Sequence, residues 1–249
     1  MSYMIAVTGK GGVGKTTFSS LVVKNLINAG KTPVLAIDAD PNSCLDAALG
    51  LKVANTVGRA REDVKQEGSS PNISTKELLQ IKLTESLVEA NGFDLIAMGR
   101  PEGAGCYCYA NNVLKSVIGE LAGQYPYVVL DNEAGLENLS RRIVQKVNVM
   151  ALVSDVSNAG LDTLKRLYEL AVEMEVEYDK LALIINRVRN DHYLNKVEEI
   201  RNYTKADFVF GLPDDGEIAD FAETSRSFLE LPENNPVNIV VKNFVKEIL

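Results

Sequence analysis

The chain has 249 residues, a net charge of −8, 46% hydrophobic and 24% charged residues, which suits one large α/β domain. The acidic balance argues against a general affinity for nucleic acid, because such binding depends on lysine and arginine neutralising phosphates. We expect a cytoplasmic protein without a membrane partner, since the first apolar run is too short for a signal peptide and none could span a bilayer. The predicted elements begin with a strand at residues 4–7 and a helix at 18–29.

A glycine-rich stretch lies between this strand and this helix. It reads Gly9-Lys10-Gly11-Gly12-Val13-Gly14-Lys15-Thr16-Thr17. Strand, glycine-rich turn and helix together are typical of a phosphate-binding loop, whose backbone N–H groups surround a polyphosphate. We expect Lys15 to reach the β- and γ-phosphates of ATP and Thr16 to bind Mg²⁺. Lys10 either lies close to the phosphates or is a solvated loop charge.

A second buried strand is predicted at residues 32–37 and runs into Asp38 and Asp40. Carboxylates at the carboxyl end of a parallel strand point into the crevice where α/β folds bind ligands. Two residues apart, they share a face of an extended backbone. One carboxylate could then hold the Mg²⁺ shell while the other orients an attacking water. The alternative is an Asx turn that caps the next helix near Ser43.

The middle of the chain mixes irregular and regular segments. Residues 52–74 are polar and predict a surface excursion, whereas 75–91 suit one or two short helices. A strand at 93–98 leads into a loop with two cysteines, and a helix is predicted at 113–122. The central strand at 127–130 ends in Asp131, the pattern of a Walker B aspartate that binds Mg²⁺. Gly135 suits a switch loop that rearranges when the γ-phosphate leaves.

Strands and helices continue to alternate to the end of the chain. Strands are predicted at 147–153, 181–185 and 206–212, with a helix at 158–173. With no repeat and no linker, residues 1–249 predict a single-domain α/β P-loop NTPase with a mainly parallel central sheet flanked by helices on both faces. The apolar residues of 237–249 are spread around a helix, so we expect it to dock on the domain's own core.

Cys106 and Cys108 stand one residue apart in a glycine-rich loop. Two thiolates can hold one metal ion but leave a tetrahedral site half filled. A two-fold homodimer that joined two such loops would supply four thiolates, which suit Zn²⁺, Ni²⁺, Cu⁺ or an iron–sulfur cluster. Two reduced thiols or a redox-sensing pair are the alternatives. We expect Cys44 to be a buried small residue and His192 to lie on the surface.

The glycine-rich stretch resembles the deviant Walker A motif of the superfamily of MinD, ParA, the arsenite-pump ATPases and the nitrogenase iron protein. This resemblance implies that Lys10 reaches across a face-to-face homodimer to the partner's phosphates. It also implies a first switch at Asp38, Asp40 and Asn42 and a second switch at residues 131–135. Its nucleotide contacts would come from two further loops: Asn186 and Arg187 at the adenine edge, and Pro213, Asp214 and Asp215 over the base.

Within that superfamily, residues 99–108 and 131–137 look like the CooC/AcsF group. These ATPases help nickel insertion into carbon monoxide dehydrogenase or acetyl-CoA synthase, which would be the client, and their paired cysteines bind metal across the dimer. The nitrogenase iron protein differs, because its second cluster cysteine lies in the second switch, and residues 131–139 contain none here.

The resemblance implies a nickel-maturation ATPase that uses ATP/ADP, Mg²⁺, and Ni²⁺ or Zn²⁺ at an intersubunit four-cysteine site. Asp40 would position the attacking water, Lys15 and Lys10 would contact phosphates, and Asp38 and Asp131 would hold the Mg²⁺ shell. Two alternatives stay open: a MinD/ParA-like ATPase that binds membrane or DNA, and an iron–sulfur electron-transfer ATPase.

Overall fold

The computed structural model describes residues 2–67, 75–99, 119, 121–135 and 146–249. Within these residues, strands form one eight-stranded sheet in the order β3-β4-β2-β5-β1-β6-β7-β8. All neighbouring pairs are parallel except β3 with β4. The mainly parallel sheet is therefore confirmed. The strands are β1 (Tyr3–Gly9), β2 (Val34–Asp38), β3 (Val88–Ala90), β4 (Phe93–Ala97), β5 (Tyr127–Ala134), β6 (Lys146–Asp155), β7 (Glu177–Val188) and β8 (Phe208–Pro213).

The helices of the described residues cover both faces of the sheet, as predicted. They are α1 (Lys15–Asn28), α2 (Leu45–Ala48), α3 (Val57–Glu67), α4 (Thr75–Glu85), α5 (Asn158–Glu173), α6 (Leu194–Thr204), α7 (Gly216–Glu223) and α8 (Pro236–Ile248). One core lies between the sheet and α1, α7 and α8, and the other lies beneath α3, α4, α5 and α6. Central strands such as β1 are buried on both sides, which explains why they are continuously apolar.

Residues 52–74 differ from the predicted surface excursion in their first half. Helix α3 occupies Val57–Glu67 of this stretch, and its Val57, Ala60 and Val64 are buried. These residues recur at helical spacing and give the helix one apolar face, which packs on the core. Residues 68–74 lie outside the described residues, as does most of the helix predicted at 113–122.

A short antiparallel strand, β3, replaces the end of the predicted helical stretch 75–91. The helix α4 ends at Glu85, and Val88–Ala90 then pairs with β4. The two strands are joined by Asn91 and Gly92, and Gly92 has a φ of +85°. Asn-Gly between two strands is a signal for a tight hairpin, so the sequence did contain the cue for this edge strand.

The C-terminal helix α8 docks on the domain's own core, as predicted. Its Val241, Phe244 and Val245 are buried, and the ring of Phe244 packs edge-on against Phe18 of α1 at 5.1 Å between centroids. The expectation that its apolar residues spread around the helix holds only in part, because Ile239 is 44% exposed whereas the buried residues form one stripe at helical spacing. No helix in the described ranges is long and apolar enough to cross a membrane.

Candidate functional site

The glycine-rich loop joins β1 to α1, and two of its glycines have conformations that side chains rarely adopt. Gly12 has a φ of +77° and Gly14 a φ of +98°. A Cβ on Gly14 would lie 2.3 Å from Nδ2 of Asn186. Among the described residues, no side chain caps the start of α1. The first N–H groups of the helix therefore point outward without a side-chain acceptor. These features fit a polyphosphate bound at the helix N-terminus.

Two lysines flank this loop in different environments. Lys15 is only 8% exposed, and its Nζ donates a hydrogen bond to the backbone carbonyl of Lys10 over 3.3 Å. The Lys10 side chain itself is exposed. Lys15 is therefore folded back over the loop, whereas Lys10 extends from its surface.

Asp131 is buried on β5 directly beside the start of α1. The Thr16 hydroxyl donates to its Oδ2 over 2.7 Å, and the Ser19 hydroxyl donates to its Oδ1 over 3.0 Å. Burial raises the pKa of Asp131 to about 6, although these two hydroxyls and Lys15 act in the opposite direction. The Thr16–Asp131 contact joins the residue types that hold Mg²⁺ in P-loop nucleotide sites.

Asp38 is the register partner of Asp131 on the neighbouring strand β2 and is fully buried. It accepts backbone hydrogen bonds from the N–H groups of Asp40 (3.0 Å) and Leu45 (2.9 Å). Burial and then the nearby Asp131 raise the pKa of Asp38 to about 7 despite these bonds. Two buried carboxylates on adjacent strands favour a bound cation, because it would offset the cost of burying their charges.

Asp40 does not continue the strand and does not share a strand face with Asp38, which is a correction of the prediction. Strand β2 ends at Asp38, and the Asp40 carboxylate accepts hydrogen bonds from the backbone N–H (2.8 Å) and the side-chain amide (3.1 Å) of Asn42. This is the alternative Asx turn, but at Asn42 rather than at a helix start. It holds Asp40 half-buried at the entrance to the site.

Asn186 and Arg187 contact the phosphate loop from the end of β7. The Asn186 side chain donates to the carbonyl of Val13 over 2.8 Å and accepts from the N–H of Arg187 over 2.9 Å. An Arg187 guanidinium nitrogen donates to the carbonyl of Gly12 over 3.3 Å. In this conformation both residues support the loop. Their role at an adenine edge stays a prediction.

Two carboxylates in the loop after β8 hold it in place, one through an ion pair and the other through a helix cap. Pro213 ends the strand, Asp214 forms an ion pair with Arg189 at 2.5 Å, and Asp215 caps α7 by accepting from the N–H of Ile218. Asp215 therefore has a structural role in this conformation, and its contact with a nucleotide base stays a prediction.

The predicted second switch begins in β5, which continues as far as Ala134 next to the phosphate loop. The N–H of Gly135 donates to the carbonyl of Gly9 over 3.0 Å, and the buried hydroxyl of Thr8 donates to the Gly135 carbonyl. Gly135 has a φ of +92°, which favours glycine. A shift of the phosphate loop would therefore change hydrogen bonds of the second switch.

The sequence interpretation missed Ser19, Thr8 and Asn132. Ser19 follows Thr16 by three residues, so helical spacing places both hydroxyls on the face toward Asp131. Asn132 is buried, and within the described part of the chain its Oδ1 has no hydrogen-bond partner. No sequence signal pointed to that orphaned oxygen.

The predicted two-cysteine metal site, Cys106 and Cys108, lies outside the described residues. Among residues that are described, no group of three or more His, Cys, Asp and Glu side chains is placed to hold a metal ion. Cys44 is exposed, so the prediction that it is buried is wrong; the buried residue at this position of the fold is the next one, Leu45. His192 is exposed, as predicted.

A glycine-rich loop at a helix N-terminus, with a Thr16–Asp131 contact at the carboxyl ends of parallel strands, defines a P-loop nucleoside triphosphatase. The family model for the CobQ/CobB/MinD/ParA nucleotide binding domain matches residues 4–228, and the chain belongs to this family. It is accordingly an ATPase.

Individual relatives agree with this assignment. An uncharacterised ATP-binding protein of Methanocaldococcus jannaschii is 42% identical over 99% of this chain and 98% of its own length. The carbon monoxide dehydrogenase accessory protein CooC of Rhodospirillum rubrum is 30% identical over 70% of each chain. The solved structure of a ParA family ATPase from Chlorobium tepidum matches with a TM-score of 0.76 and 16% identity, covering 98% of both chains, which shows the shared fold.

Proposed function

We propose that this ATPase couples ATP binding and hydrolysis to nickel insertion into carbon monoxide dehydrogenase or acetyl-CoA synthase. The observation that carries this proposal is the Cys106/Cys108 pair in a chain of this family. The relationship to a carbon monoxide dehydrogenase accessory protein supports it. Nickel is the delivered substrate in this account, and the protein acts in the cytoplasm on its client enzyme.

The ATPase step is assigned to the residues gathered at the carboxyl ends of β1, β2 and β5. Lys15 would leave the Lys10 carbonyl, which it contacts over 3.3 Å, and bind the β- and γ-phosphates. Thr16, Asp131 and Asp38 would hold Mg²⁺, whose charge neutralises the phosphates. The raised pKa values of both aspartates mean that nucleotide-dependent ionisation accompanies this binding.

Asp40 is the proposed group that positions the attacking water. Its carboxylate is bound to Asn42 in an Asx turn, half-buried at the site entrance. Because this turn is local and partly exposed, it can open without disturbing β2. Opening would free a carboxylate oxygen to accept a hydrogen bond from water beside the γ-phosphate.

The proposed active form is a homodimer. The exposed Lys10 side chain extends from the phosphate loop and would contact phosphates bound by the partner subunit. Dimerisation would also bring two Cys106/Cys108 pairs together, which gives the four thiolates of a closed tetrahedral site. Soft thiolates suit Ni²⁺ or Zn²⁺ at this site.

The test is equilibrium binding of Ni²⁺ and Zn²⁺ to the anaerobic full-length protein. Wild type should bind about one metal ion per two chains, and the double variant Cys106→Ser/Cys108→Ser should bind none at that stoichiometry. Cys44→Ser is the matched control, because its thiol is exposed and lies in another loop. Stoichiometric binding by the double variant would refute the metal site while leaving the ATPase assignment unaffected.

A positioning ATPase is the second candidate, because the family includes MinD and ParA. Such a protein would sediment with liposomes or DNA in the presence of ATP. The docked helix α8 buries its apolar stripe in the core, which argues against using that helix as a membrane anchor. An electron-transfer role would instead give a visible absorption band in anaerobically purified protein.

A further inference from the structure

A cleft lies between the C-terminal ends of α1 and α8, at the far end of α1 from the phosphate loop. Its volume is about 360 Å³, within the usual range of small-molecule sites. Ala29, Val245 and Leu249 contribute apolar surface to it. Helix α1 has 14 residues, so the cleft lies roughly 20 Å from the phosphate loop. It is a separate site from the nucleotide pocket.

Three lysines line this cleft: Lys31, Lys242 and Lys246. They place three positive charges together in a chain whose net charge is −8, and Glu233, which accepts a hydrogen bond from Asn28 of the cleft, is the nearby negative group. Lys242 lies 3.8 Å from Glu233, which forms a shorter ion pair of 3.3 Å with the buried Lys24. Among the described residues, neither of the other two lysines forms an ion pair. The cleft therefore favours an anion.

Groups other than these three ammonium groups already bond carbonyls at the ends of both helices. A helix C-terminus carries partial negative charge that nearby lysines commonly offset. The last turn of α1 is already capped, because its carbonyls accept from the N–H groups of Ala29, Gly30 and Lys31. In α8, the carbonyl of Ile248 accepts from Nζ of Lys180 over 2.7 Å. The Lys31 ammonium also lies 5.9 Å from the centre of the Tyr127 ring. The exposed Lys242 and Lys246 are therefore the ammonium groups most open to a ligand.

We propose that this cleft binds a small amphipathic carboxylate, a free molecule with an apolar tail and one anionic head. The tail would cover the apolar surface of Ala29, Val245 and Leu249, and the carboxylate would lie among the lysines. A neutral apolar molecule would leave Lys31 and Lys246 without a counter-charge, and an amphipathic cation would be repelled. Charge and apolar surface together therefore select this chemical class.

Decanoate is the probe, titrated calorimetrically into the full-length protein. We expect saturable binding of one molecule per chain with a Kd below about 1 mM, and no binding of acetate or of decyltrimethylammonium, which carries the same tail with the opposite charge. Absence of saturable decanoate binding, or equal binding of the cation, would overturn the proposal.

Two kinds of variant test the location. Lys242→Glu/Lys246→Glu removes the positive rim and should weaken decanoate binding at least about tenfold, and Ala29→Phe should do so by filling the apolar part. Lys52→Glu is the matched control, an exposed lysine elsewhere that should keep wild-type affinity. ATP binding by each variant verifies its fold. Wild-type decanoate affinity in both cleft variants would place the ligand elsewhere and refute the site.

Discussion

The nucleotide-free protein should become less stable as the pH rises from 5.5 to 8, because of the buried carboxylates Asp38 and Asp131. Their pKa values are about 7 and about 6 in the folded protein, whereas an unfolded aspartate titrates near 3.9. The folded state therefore holds these protons more tightly. The resulting stabilisation is complete below the unfolded pKa and is lost as the pH rises through the folded values.

The expected loss follows from about 1.4 kcal/mol per pH unit for each proton that the folded state retains. Between pH 5.5 and 8 this gives about 2–3 kcal/mol for the pair, which titrates as a coupled unit. Urea unfolding followed by circular dichroism, without Mg²⁺ or nucleotide, measures it. Adding Mg²⁺ and ATP should abolish the decline, since a bound cation stabilises the ionised carboxylates.

A substitution at Asp38 and a control substitution elsewhere test whether the buried carboxylates cause the pH dependence of the free energy of unfolding. Asp38→Asn should reduce the pH dependence by more than half, whereas the exposed Asp191→Asn should leave it unchanged. Asp38→Asn also replaces one of two oxygens that accept backbone N–H groups, so its absolute stability is not expected to rise. A wild-type protein whose free energy of unfolding is constant or rises over this range would refute the reasoning.

Three further substitutions test the site. Lys10→Ala should preserve the fold and abolish ATP-dependent dimerisation in light scattering; unchanged dimerisation and turnover would remove its proposed role. Ser19→Ala deletes a charge-assisted hydrogen bond to Asp131 worth about 1.5–3 kcal/mol. The Mg²⁺ concentration for half-maximal ATPase activity should therefore rise about tenfold. An unchanged Mg²⁺ requirement would contradict a role of Ser19 in positioning Asp131. Gly14→Ala places a methyl group against Asn186 and should lower the free energy of unfolding by about 1–3 kcal/mol. Gly30→Ala, at a positive φ in open space, should cost less, and an equal loss would show that steric contact is unimportant.

The sheet could be predicted from sequence because its central strands are buried on both faces. Continuous apolar runs such as that of β1 leave little ambiguity about strand identity. Helix α3 was harder to predict, since its apolar face consists of only three widely spaced residues in a charged segment. The edge strand β3 has three residues, and its Asn91–Gly92 turn was the only strong local cue.

At the site, motif spacing predicted that Thr16 and Asp131 lie together, but not how the other side chains are held. The Thr16–Asp131 contact follows from strand, loop and helix geometry. The Asx turn at Asp40 depends on where β2 ends, which periodicity locates only to within a few residues. The hydrogen bond of Asn186 to Val13 in the phosphate loop joins residues 173 positions apart, and only the folded chain brings them together.

In the proposed mechanism, nucleotide binding and metal binding are coupled through one homodimer. The most direct test of this coupling is Ni²⁺ titration of the anaerobic protein with no nucleotide, with ADP, and with a non-hydrolysable ATP analogue. If the two sites are coupled, the analogue should change the Ni²⁺ affinity by about 5- to 150-fold, and Ni²⁺ should change the affinity for the analogue by the same factor. Identical Ni²⁺ affinities in all three conditions would contradict it.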